Sequence, residues 1–193
     1  MNPSVAGIVL AAGASRRMGE FKLLLPWRGR PVLDHVLAAA RAARLGSRLL
    51  VLGHRSDAVR AALDLRGFTV VENPEFAAGQ STSMRAGLRA APAASTGYLF
   101  LLGDQPNITP AFIDALIALH AEHPDRILVP TLGGEGRSPV LFPAALRQDL
   151  EAVRGDRGGR EILRGQAARV HAVVVENPDL VRDLDVPADL PGA

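Results

Sequence analysis

Val5-Ala-Gly-Ile-Val-Leu10-Ala-Ala-Gly-Ala-Ser15-Arg-Arg-Met-Gly-Glu20-Phe-Lys22 is the stretch that decides how this chain is read. Its first six residues form a short apolar run, as expected of a strand buried on both faces. A glycine-bearing loop follows, from Ala11 to Lys22. Lys22 is the single lysine among 193 residues, against twenty-one arginines. An ammonium is a compact point charge on a flexible stem, whereas a guanidinium is a planar fork, so the two are not interchangeable at a phosphate. A composition that uses arginine everywhere else leaves Lys22 as a candidate phosphate ligand. In the same loop Ala11, Ala12 and Gly13 have small side chains that let backbone N–H groups approach a ligand, and Ser15, Arg16 and Arg17 add donors. The loop is not a Walker A loop, because Glu20 stands where lysine is required. Nor is it the dinucleotide pattern G-x-G-x-x-G.

Outward from this loop, short apolar runs alternate with helical patterns. Val5–Leu10, Arg48–Leu52, Phe68–Val71, Tyr98–Leu102, Ile127–Val129 and Val170–Val175 read as buried strands bounded by Gly, Pro, Asn or Asp. Between them Val32–Leu45, Ser56–Leu63, Ser81–Ala91, Pro110–His120 and Pro143–Val153 carry apolar residues at helical spacing. Thr109-Pro110 is a helix start, with a hydroxyl N-cap and proline at the first helical position. The alternation predicts an α/β fold, a mostly parallel sheet covered on both faces, in a single domain spanning residues 1–193. Pro139–Phe142 reads as a short extra strand, antiparallel at an edge, and Gly133–Gly136 as a flexible loop.

Composition narrows the function. Net charge is only +2, and no basic block with interleaved aromatics occurs, which argues against a nucleic-acid partner. The absence of cysteine excludes disulfides, thiolate metal sites and a thiol nucleophile. Met1-Asn-Pro-Ser4 lacks a charged leader region and Val5–Ala12 is too short for a membrane span, so no membrane partner and a cytoplasmic location are expected.

Ligands of open α/β sheets bind beyond the carboxyl ends of the strands, near the point where strand order reverses. Two further clusters would project there. Gly103-Asp104-Gln105-Pro106 directly follows a strand, and Asp104 is either a magnesium ligand or a cap on the local turn. Gly79-Gln-Ser81-Thr-Ser83 opens a helix; its N–H groups could hold part of a nucleotide, or simply cap the helix. Asp183, Asp185 and Asp189 follow the last strand, where one could reach the same metal as Asp104 or cap a helix. His120 and His123 suit a helix end, and His35, His54 and His171 carry no readable role. No G-x-S-x-G elbow supports a serine hydrolase.

Taken together, the motifs resemble the MobA-like nucleotidyltransferases, most closely their molybdenum cofactor cytidylyltransferase branch. The resemblance runs through Leu10-Ala-Ala-Gly-Ala-Ser-Arg-Arg-Met-Gly19, Lys22-Leu-Leu-Leu-Pro26, Asn73-Pro74, Gly79–Ser83 with Arg85-Ala-Gly-Leu88, Gly103–Pro106, Pro139-Val-Leu-Phe142, Gly155-Asp-Arg-Gly158 and Leu184-Asp-Val-Pro187. It implies a Rossmann-like three-layer α/β/α sandwich of the nucleotide-diphospho-sugar transferase type. It also implies transfer of a nucleoside monophosphate, CMP from CTP, to the phosphate of molybdopterin or molybdenum cofactor, with Mg²⁺ as cofactor and pyrophosphate released. Carried over, Leu10, Ala11, Ala12 and Gly13 would cradle the nucleotide, and Arg17 and Lys22 would bind its phosphates. Gly79, Ser81 and Ser83 would lie against base or ribose, and Asp104 and Asp185 would hold the metal. Catalysis would rest on Lys22, Arg17 and Asp104, with Gln105, Arg137 and Pro139 facing the acceptor. A recipient molybdoenzyme is an implied partner. Two departures stand out: Arg137-Ser138 where relatives carry Gly-His or Gly-Asn, and Glu20-Phe21 where a proline often precedes the lysine. The base preference rests on Ala12, since guanylyl-transferring relatives show Leu-Ala-Gly-Gly. GTP as donor, another phosphorylated acceptor, or a cofactor carrier without turnover are the alternatives.

Overall fold

The computed structural model describes residues 4–14, 20–155 and 159–184. In chain order the elements are β1 (Val5–Ala11), β2 (Pro26–Trp27), β3 (Arg30–Pro31), α1 (Val32–Ala42), β4 (Ser47–Leu52), α2 (Ser56–Ala62), β5 (Thr69–Glu72), α3 (Gln80–Ala90), β6 (Gly97–Leu102), α4 (Pro110–Glu122), β7 (Ile127–Leu132), β8 (Glu135–Gly136), β9 (Val140–Pro143), α5 (Arg147–Ala152), α6 (Arg160–Gly165) and β10 (Val170–Val174). The main sheet runs β10-β7-β9-β6-β1-β4-β5, with β8 paired to β7. β1 lies parallel between β4 and β6, with Leu10 opposite both Val51 and Leu102. The chain steps outward from β1 to β4 and β5, then returns to place β6 on the other flank of β1. Strand order therefore reverses at β1 and β6, the place where a ligand crevice opens.

The apolar run that opens the chain is buried because its two faces serve different layers. Val5, Val9 and Ala11 join a core with Leu33, Val36 and Leu37 of α1 and Ile113, Leu116 and Ile117 of α4. Ala6 and Ile8 join the opposite core with Met84 and Leu88 of α3 and Leu150 of α5. Each buried Val, Leu or Ile contributes about 1.5–3 kcal/mol relative to exposure. Thr109 caps α4 as the sequence suggests, its hydroxyl oxygen accepting from Phe112 N.

Three sequence expectations change in the structure. The extra strand is antiparallel, but it is interior rather than at an edge: β9 fills the gap between β6 and β7. A four-residue apolar segment says nothing about which neighbours it finds, because pairing is a tertiary decision. The Gly133–Gly136 stretch is a hairpin that carries β8, not an unstructured loop. Gly133 (φ 58) and Gly134 (φ 83) both take the left-handed conformation that a tight two-residue hairpin loop demands. The helical pattern at 143–153 divides into a 3₁₀ turn, Ala144–Leu146, and α5. The β2–β3 hairpin and α6 are too short to leave a periodicity signal, and sequence reading passes over them.

Candidate active site

At the carboxyl end of β1, Leu10 is partly buried, Ala11 and Ala12 are buried and Gly13 is exposed. The neighbouring strand continues the pairing one step further, with Gly103 N donating to Leu10 O at 3.0 Å. A Cβ on Gly103 would lie 3.1 Å from that carbonyl and 3.2 Å from Leu33 Cδ1, so any larger residue would have to push these neighbours aside by a few tenths of an ångström. The turn delivers Asp104 to Lys22, which opens a 3₁₀ turn (Lys22–Leu24) at the far end of the loop after β1. Lys22 Nζ lies 2.5 Å from Asp104 Oδ2. The side chains retain 14% and 19% exposure, so water screens the pair less than it would a surface ion pair. Lys22 Nζ also donates to Leu184 O at 2.8 Å, and Leu184 N donates to Asp104 O at 3.0 Å. The Leu184-Asp-Val-Pro187 motif does not announce this role, because a main-chain contact across 162 positions is not written in residue identity.

The Gly79–Ser83 turn sits at the same end of the sheet, where α3 begins its packing across β1 and β4. Gly79 holds a positive φ of 109°. Asn73, at the end of β5, donates through Nδ2 to Thr82 Oγ1 and Ser83 Oγ at 2.9 Å each. Its own Oδ1 accepts from Glu75 N at 3.0 Å, so one buried amide fixes the turn from both sides. Ser81 is 1% exposed, and its hydroxyl has no hydrogen-bond partner among the described residues. Ala12 packs its methyl toward the site of Gly53 and the Phe76 side chain, in the core shared with α3. His54 N donates to Ala12 O at 3.1 Å. The His54 ring lies between Phe21 and Phe76, at centroid distances of 5.7 and 5.9 Å, which makes it the brace between the Lys22 turn and the Gly79 turn.

Gln105 is 2% exposed and turned inward. Its Nε2 lies 2.7 Å from Asp183 Oδ1, 3.2 Å from Val181 O and 3.3 Å from Ser138 O. It thereby ties the segment 181–184 to the loop before β9, which holds the cis Ser138-Pro139 bond. Arg137 pairs with Glu135 at 2.6 Å on the rim of that loop. Thus Lys22, Asp104, Gln105 and the loop at 137–139 converge with residues 183–184, and the Gly79 turn approaches from α3. Arg17 and Asp185 lie outside the described residues. Among the described residues no group of three or more His, Cys, Asp or Glu side chains could hold a metal ion. No helix among them is long and apolar enough to cross a membrane.

The chain is similar to known proteins along nearly its whole length. Residues 7–173 match the MobA-like NTP transferase domain. The chain is 31% identical over 186 residues to the molybdenum cofactor cytidylyltransferase of Escherichia coli K12, covering 94% of this chain and 91% of that protein. It is 30% identical over 193 residues to nicotine blue oxidoreductase of Paenarthrobacter nicotinovorans, covering 95% and 93%. The crystal structure of Rv0371c from Mycobacterium tuberculosis H37Rv superposes with a TM-score of 0.86 at 32% identity, over 98% of this chain and 96% of that one. A structure of the same mycobacterial protein in complex with manganese superposes with a TM-score of 0.76 at 30% identity, over 91% and 89%. The Rossmann-like α/β fold, the strand-order reversal and the family match converge: this chain belongs to the MobA-like NTP transferase domain family and is a nucleotidyltransferase.

Proposed function

We propose that the chain transfers CMP from CTP to the phosphate of molybdopterin or molybdenum cofactor, in a Mg²⁺-dependent reaction that releases pyrophosphate. The observation that carries this reading is the Lys22–Asp104 pair at the strand-order reversal, 2.5 Å apart and largely shielded from water. An acceptor that is already a phosphate oxyanion needs no side-chain nucleophile, which suits a chain without cysteine. Catalysis then consists of positioning and charge neutralisation around an in-line attack on the α-phosphate. Ala11, Ala12 and Gly13 cradle the nucleotide, and Lys22 and Arg17 bind its phosphates. Gly79, Ser81 and Ser83 lie against base or ribose, where the buried Ser81 hydroxyl, without a partner among the described residues, would meet a ligand group. Arg137 and Pro139 face the acceptor, and Gln105 shapes that side of the site.

The donor set fits magnesium. Mg²⁺ is held by one or two carboxylates together with water and substrate phosphates, so Asp104, with Asp185 as second ligand, suffices. When bound, the ion supplies neutralisation of the triphosphate charge. Similarity to a cytidylyltransferase supports CTP, and the Ala12 methyl supports it further.

The test is pyrophosphate release from purified protein with Mg²⁺ and molybdopterin or molybdenum cofactor, offering CTP, GTP, ATP and UTP in parallel. Turnover with CTP alone is the expected result. Turnover with GTP overturns the base assignment. Silence with every nucleotide overturns the acceptor and moves the reading to another phosphorylated acceptor or to a cofactor carrier.

A further inference from the structure

Lys22 emerges from a loop and has a four-carbon stem with high rotamer entropy. Something must aim it. The structure supplies an aiming device at residues 181–184, a segment distant in sequence from both catalytic turns. Leu184 is 1% exposed and lies with Trp27 and Val32 in a small apolar cluster separate from the two main cores. Trp27 and Val32 belong to the stretch that directly follows the Lys22 turn, so side chain and main chain of Leu184 grip one structural unit. Its carbonyl accepts from Lys22 Nζ at 2.8 Å, and its N–H donates to Asp104 O at 3.0 Å. One residue therefore contacts both members of the ion pair. Gln105 secures the same segment one residue earlier, through Asp183 Oδ1 at 2.7 Å, and again at Val181 O.

We propose that Leu184 is a positioning residue for nucleotidyl transfer, its side chain anchored against Trp27 and Val32 while its main-chain carbonyl aims Lys22 at the phosphates. The proposal deepens the reading above and rests on Lys22 acting on the phosphates. Its physical content is preorganisation: an ammonium direction set before substrate arrives costs nothing at the moment of reaction. Displacing an aimed group by about 1 Å can cost up to roughly a hundred-fold in rate. Leu184→Ala empties the anchor pocket and frees the main chain to shift; Leu184→Met keeps the volume and should keep the aim.

The single lysine makes the test direct. Labelling with ¹⁵Nζ-lysine places one side-chain ammonium signal on the whole chain, and hydrogen bonding to a fixed carbonyl slows its exchange with water. The full-length ligand-free protein is expected to show that signal. Leu184→Ala should lose it while still melting in one cooperative transition, and Leu184→Met should retain it. In turnover, Leu184→Ala should lower kcat roughly ten- to a hundred-fold with little change in the KM for nucleotide. In a Lys22→Ala background the same substitution should cost little more, because both changes remove one function. A ζ signal missing from wild type, or unchanged in Leu184→Ala, overturns the proposal. Equal fold-losses in both backgrounds also overturn it, since a general loss of structure acts regardless of Lys22. Should Lys22→Ala itself retain wild-type rate, the failure lies instead in the role given to Lys22, while the ammonium signal still reports on the grip.

Discussion

At the scale of single residues, Lys22 and Asp104 are the test of the proposed chemistry. If Lys22 balances charge that develops in the transition state, Lys22→Ala should cost on the order of 10²–10³ in kcat, as loss of a transition-state donor does. A rate within about fivefold of wild type would remove it from that role. Lys22→Arg should recover little, because the planar fork cannot occupy the space between Asp104 and the Leu184 carbonyl with the same single-atom geometry. Asp104→Ala should abolish metal-dependent pyrophosphate release while leaving far-UV circular dichroism unchanged, for Asp104 sits in a turn rather than in either core. Turnover unaffected by that change would take Asp104 out of the metal site. The sequence marks both residues. Leu184 it marks only as part of the Leu184-Asp-Val-Pro187 motif; the contribution itself is a backbone carbonyl that any residue type possesses.

Among the elements, α3 connects core packing to the site most directly, since its first turn carries Ser81 and Ser83. It approaches the sheet closely at Gly87, where an added Cβ would collide with Ile8 Cγ2 and sit 3.1 Å from Val51 Cγ2. Gly87→Ala therefore sets two effects against each other. Alanine improves helix propensity by about 1 kcal/mol, whereas overpacking a tight contact costs about 1–3 kcal/mol. Ile8 is fully buried and cannot retreat, so the steric effect should win. The expected outcome is a melting temperature lowered by a few degrees and a raised KM for nucleotide as the first turn of α3 shifts. A higher melting temperature would show that the helix stands off the sheet. Element type was legible where a helical pattern was long and periodic, as in α1 and α4, or an apolar run was continuous, as in β1. It was not legible for β9, whose interior place comes from pairing with Tyr98–Phe100 on one side and Leu128 on the other.

For the molecule as a whole, His120 links stability to pH. It is 1% exposed, with Nε2 donating to Thr96 O at 3.1 Å and Nδ1 without a hydrogen-bond partner among the described residues. Burial pushes its pKa below the usual histidine value, only partly countered by the Thr96 carbonyl and Asp125. With the folded value below an unfolded value of about 6.5, the unfolded chain binds more protons in between. Stability is therefore fully present above pH ~6.5 and is lost as pH falls through that value toward the folded one. His120→Gln keeps a donor for Thr96 and removes the titration, so its melting temperature should fall less between pH 7 and pH 5 than that of wild type. Equal slopes in the two proteins would show that the ring protonates freely in the folded state.

The amino-acid sequence by itself determined the layers and, through its resemblance to a known family, the reaction class. Buried strands alternating with amphipathic helices leave a parallel sheet few alternatives, and a lone lysine, a post-strand Asp104 and small residues at 11–13 are local patterns readable without coordinates. Tertiary structure alone decided that Asp104 meets Lys22, that Gln105 turns inward to bind the chain at 181–183, and that the Leu184 main chain completes the grip. The reason is physical: side-chain chemistry is written in residue identity, but a hydrogen bond between a side chain and a distant backbone carbonyl exists only once the sheet order has brought the two together.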